Sequence, residues 1–182
     1  MLTVYAIETS EIYGHGRRAV IWFSGCTLCC KGCINNYLWE KSAGKEYTVD
    51  ELTEMIVKLG DISGVTLIGG EPLQQGKELL LFVKKITKHK LDIVLFTGYE
   101  LKELNEWQKQ VANLSAVVIC GRYIADLRDT NLFLRGSSNQ RIIVYDKKLR
   151  EYYSQECRQV EIEITEEADK FLGFPEDFVK EL

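Results

Sequence analysis

The sequence predicts an α/β protein whose mostly parallel sheet curls into an open, partial (β/α)6 barrel. Three observations lead there. Six short apolar runs end in glycine or polar turns. Most of them are separated by longer segments of helical period, the pattern of right-handed βαβ units and a parallel sheet. The chain has 182 residues, too few for a closed eight-stranded barrel, which takes about 250. One domain over residues 1–182 follows, with 146–182 as a C-terminal extension adding a strand and a helix.

The first strand is Val20–Phe23. Thr48 and Glu51 have capping-box spacing and open a helix, with Leu52, Met55, Ile56 and Leu59 on one face and Gly60 at its end. Val65–Ile68 is a buried strand stopped at Gly69-Gly70. Lys77 to Lys90 is a helix with Leu79, Leu80, Phe82, Val83 and Ile86 inward. Ile93–Phe96 is a strand stopped at Thr97-Gly98. Leu101 to Val111 is helical, with Leu101, Leu104 and Trp107 in register. Ala116–Ile119 and Ile142–Tyr145 are strands. Val160–Ile164 alternates apolar and acidic residues, as an edge strand does.

Composition narrows the function classes. The chain is 46% apolar with net charge −4, and no Lys/Arg cluster forms a phosphate-tracking stripe. Direct nucleic-acid binding is disfavoured. No apolar run approaches the ~18 residues of a membrane span. The start, Met1-Leu2-Thr3-Val4-Tyr5, lacks the signal-peptide pattern, and the free cysteines suit a reducing cytoplasm.

Four of the six cysteines fall within Cys26-Thr27-Leu28-Cys29-Cys30-Lys31-Gly32-Cys33, directly after the first strand. Cys26-x3-Cys30-x2-Cys33 places three thiols on one loop. Cys thiolates are the usual ligands of iron–sulfur clusters, and three protein ligands leave one iron of a four-iron cluster open. The abutting pairs Cys26-x2-Cys29 and Cys30-x2-Cys33 also admit zinc, although zinc pairs usually carry a long insert between them. A disulfide knot is the third reading, and a chain of this size does not need one. On the cluster reading Cys29 is a spare.

Ligands of α/β sheets and barrels bind at the C-terminal strand ends. There the chain has the cysteine loop, Gly69-Gly70-Glu71-Pro72, Thr97-Gly98-Tyr99 and Cys120-Gly121-Arg122-Tyr123. Glycines allow close approach of a ligand to the backbone, and a glutamate accepts hydrogen bonds from an ammonium group. Any one of these is a turn. Four on the end that carries three cysteines make one pocket. His15 and His89 read as surface residues, and Cys157 as a lone thiol.

With these residues in hand, the chain resembles the activating component of anaerobic (class III) ribonucleotide reductase, within the radical S-adenosylmethionine (SAM) superfamily. The resemblance runs from about Gly14 to Ile143. It rests on the cysteine loop with Asn35 and Trp39, on Leu67-Ile68-Gly69-Gly70-Glu71-Pro72-Leu73, and on Phe96-Thr97-Gly98-Tyr99. It continues through Gly121-Arg122-Tyr123 and Leu134-Arg135-Gly136-Ser137-Ser138-Asn139-Gln140-Arg141. The resemblance implies a [4Fe–4S] cluster on Cys26, Cys30 and Cys33, with SAM on its open iron. Gly69, Gly70 and Glu71 would line the methionyl end of SAM, and Thr97 and Gly98 would continue that pocket. It implies radical formation on a glycine of a glycyl-radical enzyme, the large subunit of class III ribonucleotide reductase, and a flavodoxin- or ferredoxin-like electron donor. The alternatives are a compact radical SAM enzyme acting on a small molecule, of the 7-carboxy-7-deazaguanine-synthase kind, and an activase of another glycyl-radical enzyme. Cys120 stands where the family commonly has an acidic residue.

Overall fold

The computed structural model describes residues 1–154, 160–164 and 169–173. Seven strands form one open sheet: β1 (Leu2–Ser10), β2 (Arg18–Phe23), β3 (Lys45–Tyr47), β4 (Gly64–Gly69), β5 (Asp92–Thr97), β6 (Val117–Cys120) and β7 (Arg141–Val144). Their order is β3-β1-β2-β4-β5-β6-β7. β2, β4, β5 and β6 are mutually parallel, whereas β1 and β7 flank them antiparallel. Three helices follow three of the strands in sequence: α1 (Val49–Lys58), α2 (Lys77–Lys88) and α3 (Glu106–Leu114).

The parallel core is the part predicted from the apolar runs. Its strands are covered on both faces, so they read as continuous apolar stretches. Ala19, Ile21, Phe23, Val65, Leu67, Ile93, Leu95 and Val118 pack against Leu52, Ile56, Leu79, Phe82, Val83 and Ile86 of the helices. Val20, Trp22, Val94, Val117 and Ile119 point to the opposite face. That face walls the cleft described below.

The departures have local causes. The (β/α)6 count is reduced to three helices among the described residues, because the β6–β7 connection carries turns and no α-helix and β7 therefore runs back against β6. β1 and β3 were not expected. β1 pairs with β2 through a register irregularity between Val4 and Ala6, and β3 adds to its far edge. The capping box of α1 is present, with Glu51 N donating to Thr48 Oγ1 at 3.2 Å and Thr48 N donating to Glu51 Oε2 at 2.8 Å. On that helix Leu52 and Ile56 are buried, but Met55 and Leu59 are exposed. The third helix starts five residues later than its period implied, at Glu106. Asn105 and Gln108 cap it reciprocally, and Leu104 is extended, so the preceding stretch is a separate turn, Leu101–Glu103.

At the N-terminal end of the parallel strands, Arg18 is fully buried. Its guanidinium donates to Thr66 Oγ1, Val65 O, His15 O and Asp92 Oδ1. A buried charge of this kind is stable only with such complete pairing. Tyr152 and Tyr153 close over the same end. Tyr153 Oη accepts from His15 N at 3.0 Å, and Tyr152 Oη donates to Gly14 O at 3.0 Å. Val160–Ile164, expected to extend the main sheet, instead pairs as β8 with β9 (Asp169–Gly173) in an antiparallel hairpin. The predicted C-terminal helix beyond β9 and Cys157 lie outside the described residues. Among the described residues no helix is long and apolar enough to cross a membrane.

Candidate cluster and cofactor site

The cysteine loop leaves β2 under tight backbone control. Ser24 N donates to Thr3 O at 3.0 Å, Gly25 N to Leu38 O at 2.8 Å and Cys26 N to Trp39 O at 2.9 Å. From the other side, Gly70 N donates to Phe23 O at 2.7 Å and Glu71 N to Gly25 O at 3.0 Å. The loop turns back on itself at Cys29 and Gly32, both with positive φ. Cys26, Cys30 and Cys33 are half-buried and line one cleft, while Cys29 is exposed and does not line it. Burial pushes the Cys26 thiol up to about 11 and also raises Cys30. A bound metal centre overrides such a shift, because coordination deprotonates the thiol.

The five cysteines of the described residues are free. Among those residues no group of three His, Cys, Asp or Glu side chains is drawn together as a single metal ion requires. A lone zinc ion needs its thiolates converged on one point at about 2.3 Å. A four-iron cluster presents separate irons to separate thiolates. Three thiols of one loop lining one cleft are a donor set that suits a four-iron cluster.

The cleft measures about 570 Å³. Tyr13, Trp22, Ile68, Phe96 and Ile119 give it an apolar interior, and residues at the C-terminal ends of β2, β4, β5 and β6 line it. Gly69, Gly70, Glu71, Thr97 and Gly98 line it together with the three cysteines, so all eight expected site residues meet in one place. Cys120 does not line it; strand alternation buries that thiol on the helix side and turns Ile119 and Gly121 to the cleft.

Two of these residues have a duty that their spacing did not reveal. A Cβ on Gly69 would meet Phe23 N at 2.5 Å, and one on Gly70 would meet Gly25 O at 2.7 Å. Both contacts are to backbone, so the glycines let β4 dock onto the root of the cysteine loop. Glu71 is buried and already takes three hydrogen bonds. They come from Leu73 N at 2.9 Å, Thr97 Oγ1 at 2.8 Å and Gly98 N at 2.8 Å. It ties the β4 exit to the β5 exit. Burial pushes its carboxyl up to about 7, against the pull of the three donors.

That shift fixes a sign. A carboxyl raised from 4.5 to about 7 gives stability that is complete below the unfolded value and lost as pH rises through the folded one. Glutamine in its place keeps one acceptor oxygen but turns its amide NH2 toward a donor, costing about 1–3 kcal/mol. Cluster-free Glu71→Gln should therefore melt below the wild type at pH 5, and the gap should narrow by pH 8. Parallel melting curves that keep a constant gap would contradict the burial of this group.

Sequence reasoning missed Gln74 and Gln75. Gln74 accepts from Thr27 N and donates to Thr27 Oγ1 and Tyr99 Oη, strapping the cysteine loop to the β5 exit. Gln75 accepts from Thr3 N and donates to Ser24 O. The only signal was two adjacent amides one residue beyond the Gly-Gly-Glu-Pro turn. The Arg135–Gln140 segment is built similarly. Gln140 Oε1 accepts from Gly136 N and Ser137 N, while its Nε2 donates to Gly121 O. Asn139 donates to Arg122 O. The segment thus seals the β6 exit over the cleft.

Residues 12–143 match the 4Fe-4S single cluster domain family. Anaerobic ribonucleoside-triphosphate reductase-activating proteins are among the chain's relatives. The one from Salmonella typhi is 38% identical over 137 residues, covering 71% of this chain and 89% of the relative. The one from Escherichia coli K12 is 37% identical over 137 residues, with the same coverage. The one from Enterobacteria phage T4 is 35% identical over 138 residues, 72% of this chain and 86% of the relative. The chain carries the 4Fe-4S single cluster domain and belongs to the family of anaerobic ribonucleoside-triphosphate reductase-activating proteins.

Proposed function

We propose that this protein activates anaerobic ribonucleotide reductase as a radical SAM enzyme, forming a glycyl radical on the reductase. The observation that carries the reading is the shared cleft: three thiols of one loop and the glycine-rich exits of β4 and β5 line it, and Cys29 stays outside. The names of the relatives support the reductase as partner. The open sheet, whose parallel strands β2, β4, β5 and β6 end at the cleft, supports a partial barrel of the radical SAM type.

In this reading Cys26, Cys30 and Cys33 hold a [4Fe–4S] cluster, and Gly69, Gly70, Glu71, Thr97 and Gly98 form the adjoining SAM pocket. When bound, the cluster would supply the one-electron reduction of SAM that generates the hydrogen-abstracting species for a glycine Cα of the reductase. The chain's own residues do the positioning. Leu38 O and Trp39 O hold the loop root, Gln74 straps its next turn, and Glu71 keeps the two strand exits at fixed separation. Trp22, Ile68 and Phe96 keep water from the interior. The protein would work in the cytoplasm with a flavodoxin- or ferredoxin-like donor.

Anaerobically purified protein, reduced and mixed with SAM and the anaerobic reductase, should yield methionine and a glycyl-radical signal in electron paramagnetic resonance. Absence of iron and sulfide would overturn the cluster. SAM cleavage that leaves the reductase without a radical would move the substrate to a small molecule.

A further inference from the structure

Two rows of side chains cross the parallel strands on the face away from the helices. Register pairs Val20 with Thr66, Thr66 with Val94 and Val94 with Val117 in one row. Two residues on along each strand, Trp22, Ile68, Phe96 and Ile119 form the next row, because alternate residues share a face. The second row lines the cleft, whereas no residue of the first does. All four residues of the first row are nevertheless fully buried. Other parts of the chain must therefore cover that row beneath the cleft.

The cover is aromatic. Val94 and Val117 cluster with Phe133 and Tyr153, and Val20 clusters with Tyr13, whose carbonyl accepts from Thr66 Oγ1 at 2.8 Å. Phe133 joins cover and cleft: it is fully buried, it belongs to this cluster and it lines the cleft. Its ring centroid lies 5.7 Å from that of Tyr152 and 6.1 Å from that of Tyr153, and the two tyrosine rings are 5.0 Å apart. Both tyrosines are anchored by their hydroxyls, Tyr153 to His15 N and Tyr152 to Gly14 O. The match to the 4Fe-4S domain ends at residue 143, so both tyrosines belong to chain beyond it.

Phe133 lies outside any helix or strand, between the turn Ala125–Leu127 and β7. Edge-to-face ring contacts give such a residue a fixed orientation as well as burial. We propose that Tyr152 and Tyr153 are positioning residues that hold Phe133 in the cleft wall and close the space beneath the cleft to water. Loss of the Tyr153 ring leaves a void larger than the ~30 Å³ share of one water, and it frees His15 N as a donor to that water. A wall that shifts no longer fixes the orientation of a bound ligand, and a misplacement of ~1 Å costs up to about 100-fold in rate. This consequence for the reaction rests on the SAM reading given above.

The test reads Phe133 directly. The full chain is labelled with para-fluorophenylalanine, and the Phe133 fluorine resonance is assigned by its loss in Phe133→Leu. In the wild type that resonance should not move between light and heavy water, because the ring is sealed. Tyr153→Ala should give it a solvent isotope shift approaching that of an exposed ring. Tyr153→Phe, which keeps the ring and loses only the hydroxyl, should stay close to the wild type. A tyrosine that merely stabilised the fold would lower the melting temperature and leave Phe133 sealed below it. With SAM and the reductase, Tyr153→Ala should release about twofold to 100-fold more 5′-deoxyadenosine per glycyl radical formed, and Tyr153→Phe should match the wild type. If Tyr153→Ala does not fold, Tyr152→Ala takes its place in both measurements. A Phe133 fluorine that stays sealed in the alanine variant overturns the positioning role. An exposed Phe133 with an unchanged ratio overturns its part in the reaction. A wild type that cleaves no SAM while its fluorine result stands overturns the SAM reading alone.

Discussion

Cys26→Ala, Cys30→Ala and Cys33→Ala should each abolish the brown chromophore of the anaerobically purified protein, together with reductive SAM cleavage. Cys29→Ala should keep both. The three residues share a half-buried position in one cleft, while Cys29 is exposed and sits at φ +46°. The effect is all-or-none because a four-iron cluster with two protein ligands has two irons open to solvent and exchange. The apoproteins should still fold. Cys26, Cys30 and Cys33 lie on a loop outside the main core, whose apolar residues come from the strands and helices. Iron and sulfide content, with visible absorbance, checks the set. Retention of the cluster in Cys26→Ala combined with its loss in Cys29→Ala would reassign the ligand from one thiol to the other. Alanine at position 29 keeps the same left-handed backbone strain that cysteine already bears, so the melting temperature should match the wild type's, without loss of iron.

The sequence made the parallel core and the site legible for the same physical reason. Strands buried on both faces must be continuously apolar, and the chain must break into glycines and polar residues where they end. Val20–Phe23, Val65–Ile68 and Ile93–Phe96 are therefore plain to read, and so are the cysteine loop, Gly69-Gly70 and Thr97-Gly98. β1 was not, because Tyr5 is exposed, Ala6, Ile7, Glu8 and Thr9 are only partly buried, and its pairing shifts register. The direction of β7 was hidden because it depends on the absence of a crossover helix, which a turn-rich stretch does not announce. The start of α3 was hidden by Leu101 and Leu104, which keep helical spacing across a real boundary. The role of Glu71 depends on Thr97 and Gly98, more than twenty-five residues away.

Gly70→Val should cost both fold stability and iron, where the family resemblance assigned Gly70 to lining the methionyl end of SAM. A Cβ at position 70 would lie 2.7 Å from Gly25 O, 3.0 Å from Leu38 O and 3.1 Å from Gly25 C. All three are backbone atoms, so no rotamer change relieves the clash. Relief requires the β4 exit to move away from the root of the cysteine loop. That movement stretches Gly70 N to Phe23 O, at 2.7 Å, and Glu71 N to Gly25 O, at 3.0 Å. Two buried backbone bonds lost or bent, plus the overpacking strain, amount to about 3–5 kcal/mol. The same displacement moves Cys26, the residue after Gly25, away from its place beside the cleft. Gly98→Ala is the contrast. Its Cβ would press on Leu28 Cδ1, the far end of a flexible side chain, so it should keep its melting temperature and its iron and lose only part of its SAM affinity. Denaturant unfolding and iron content of the two variants decide between a strut and a ligand contact. A Gly70→Val protein that unfolds like the wild type and retains its cluster, while failing to bind SAM, would return Gly70 to the role of making room for the ligand.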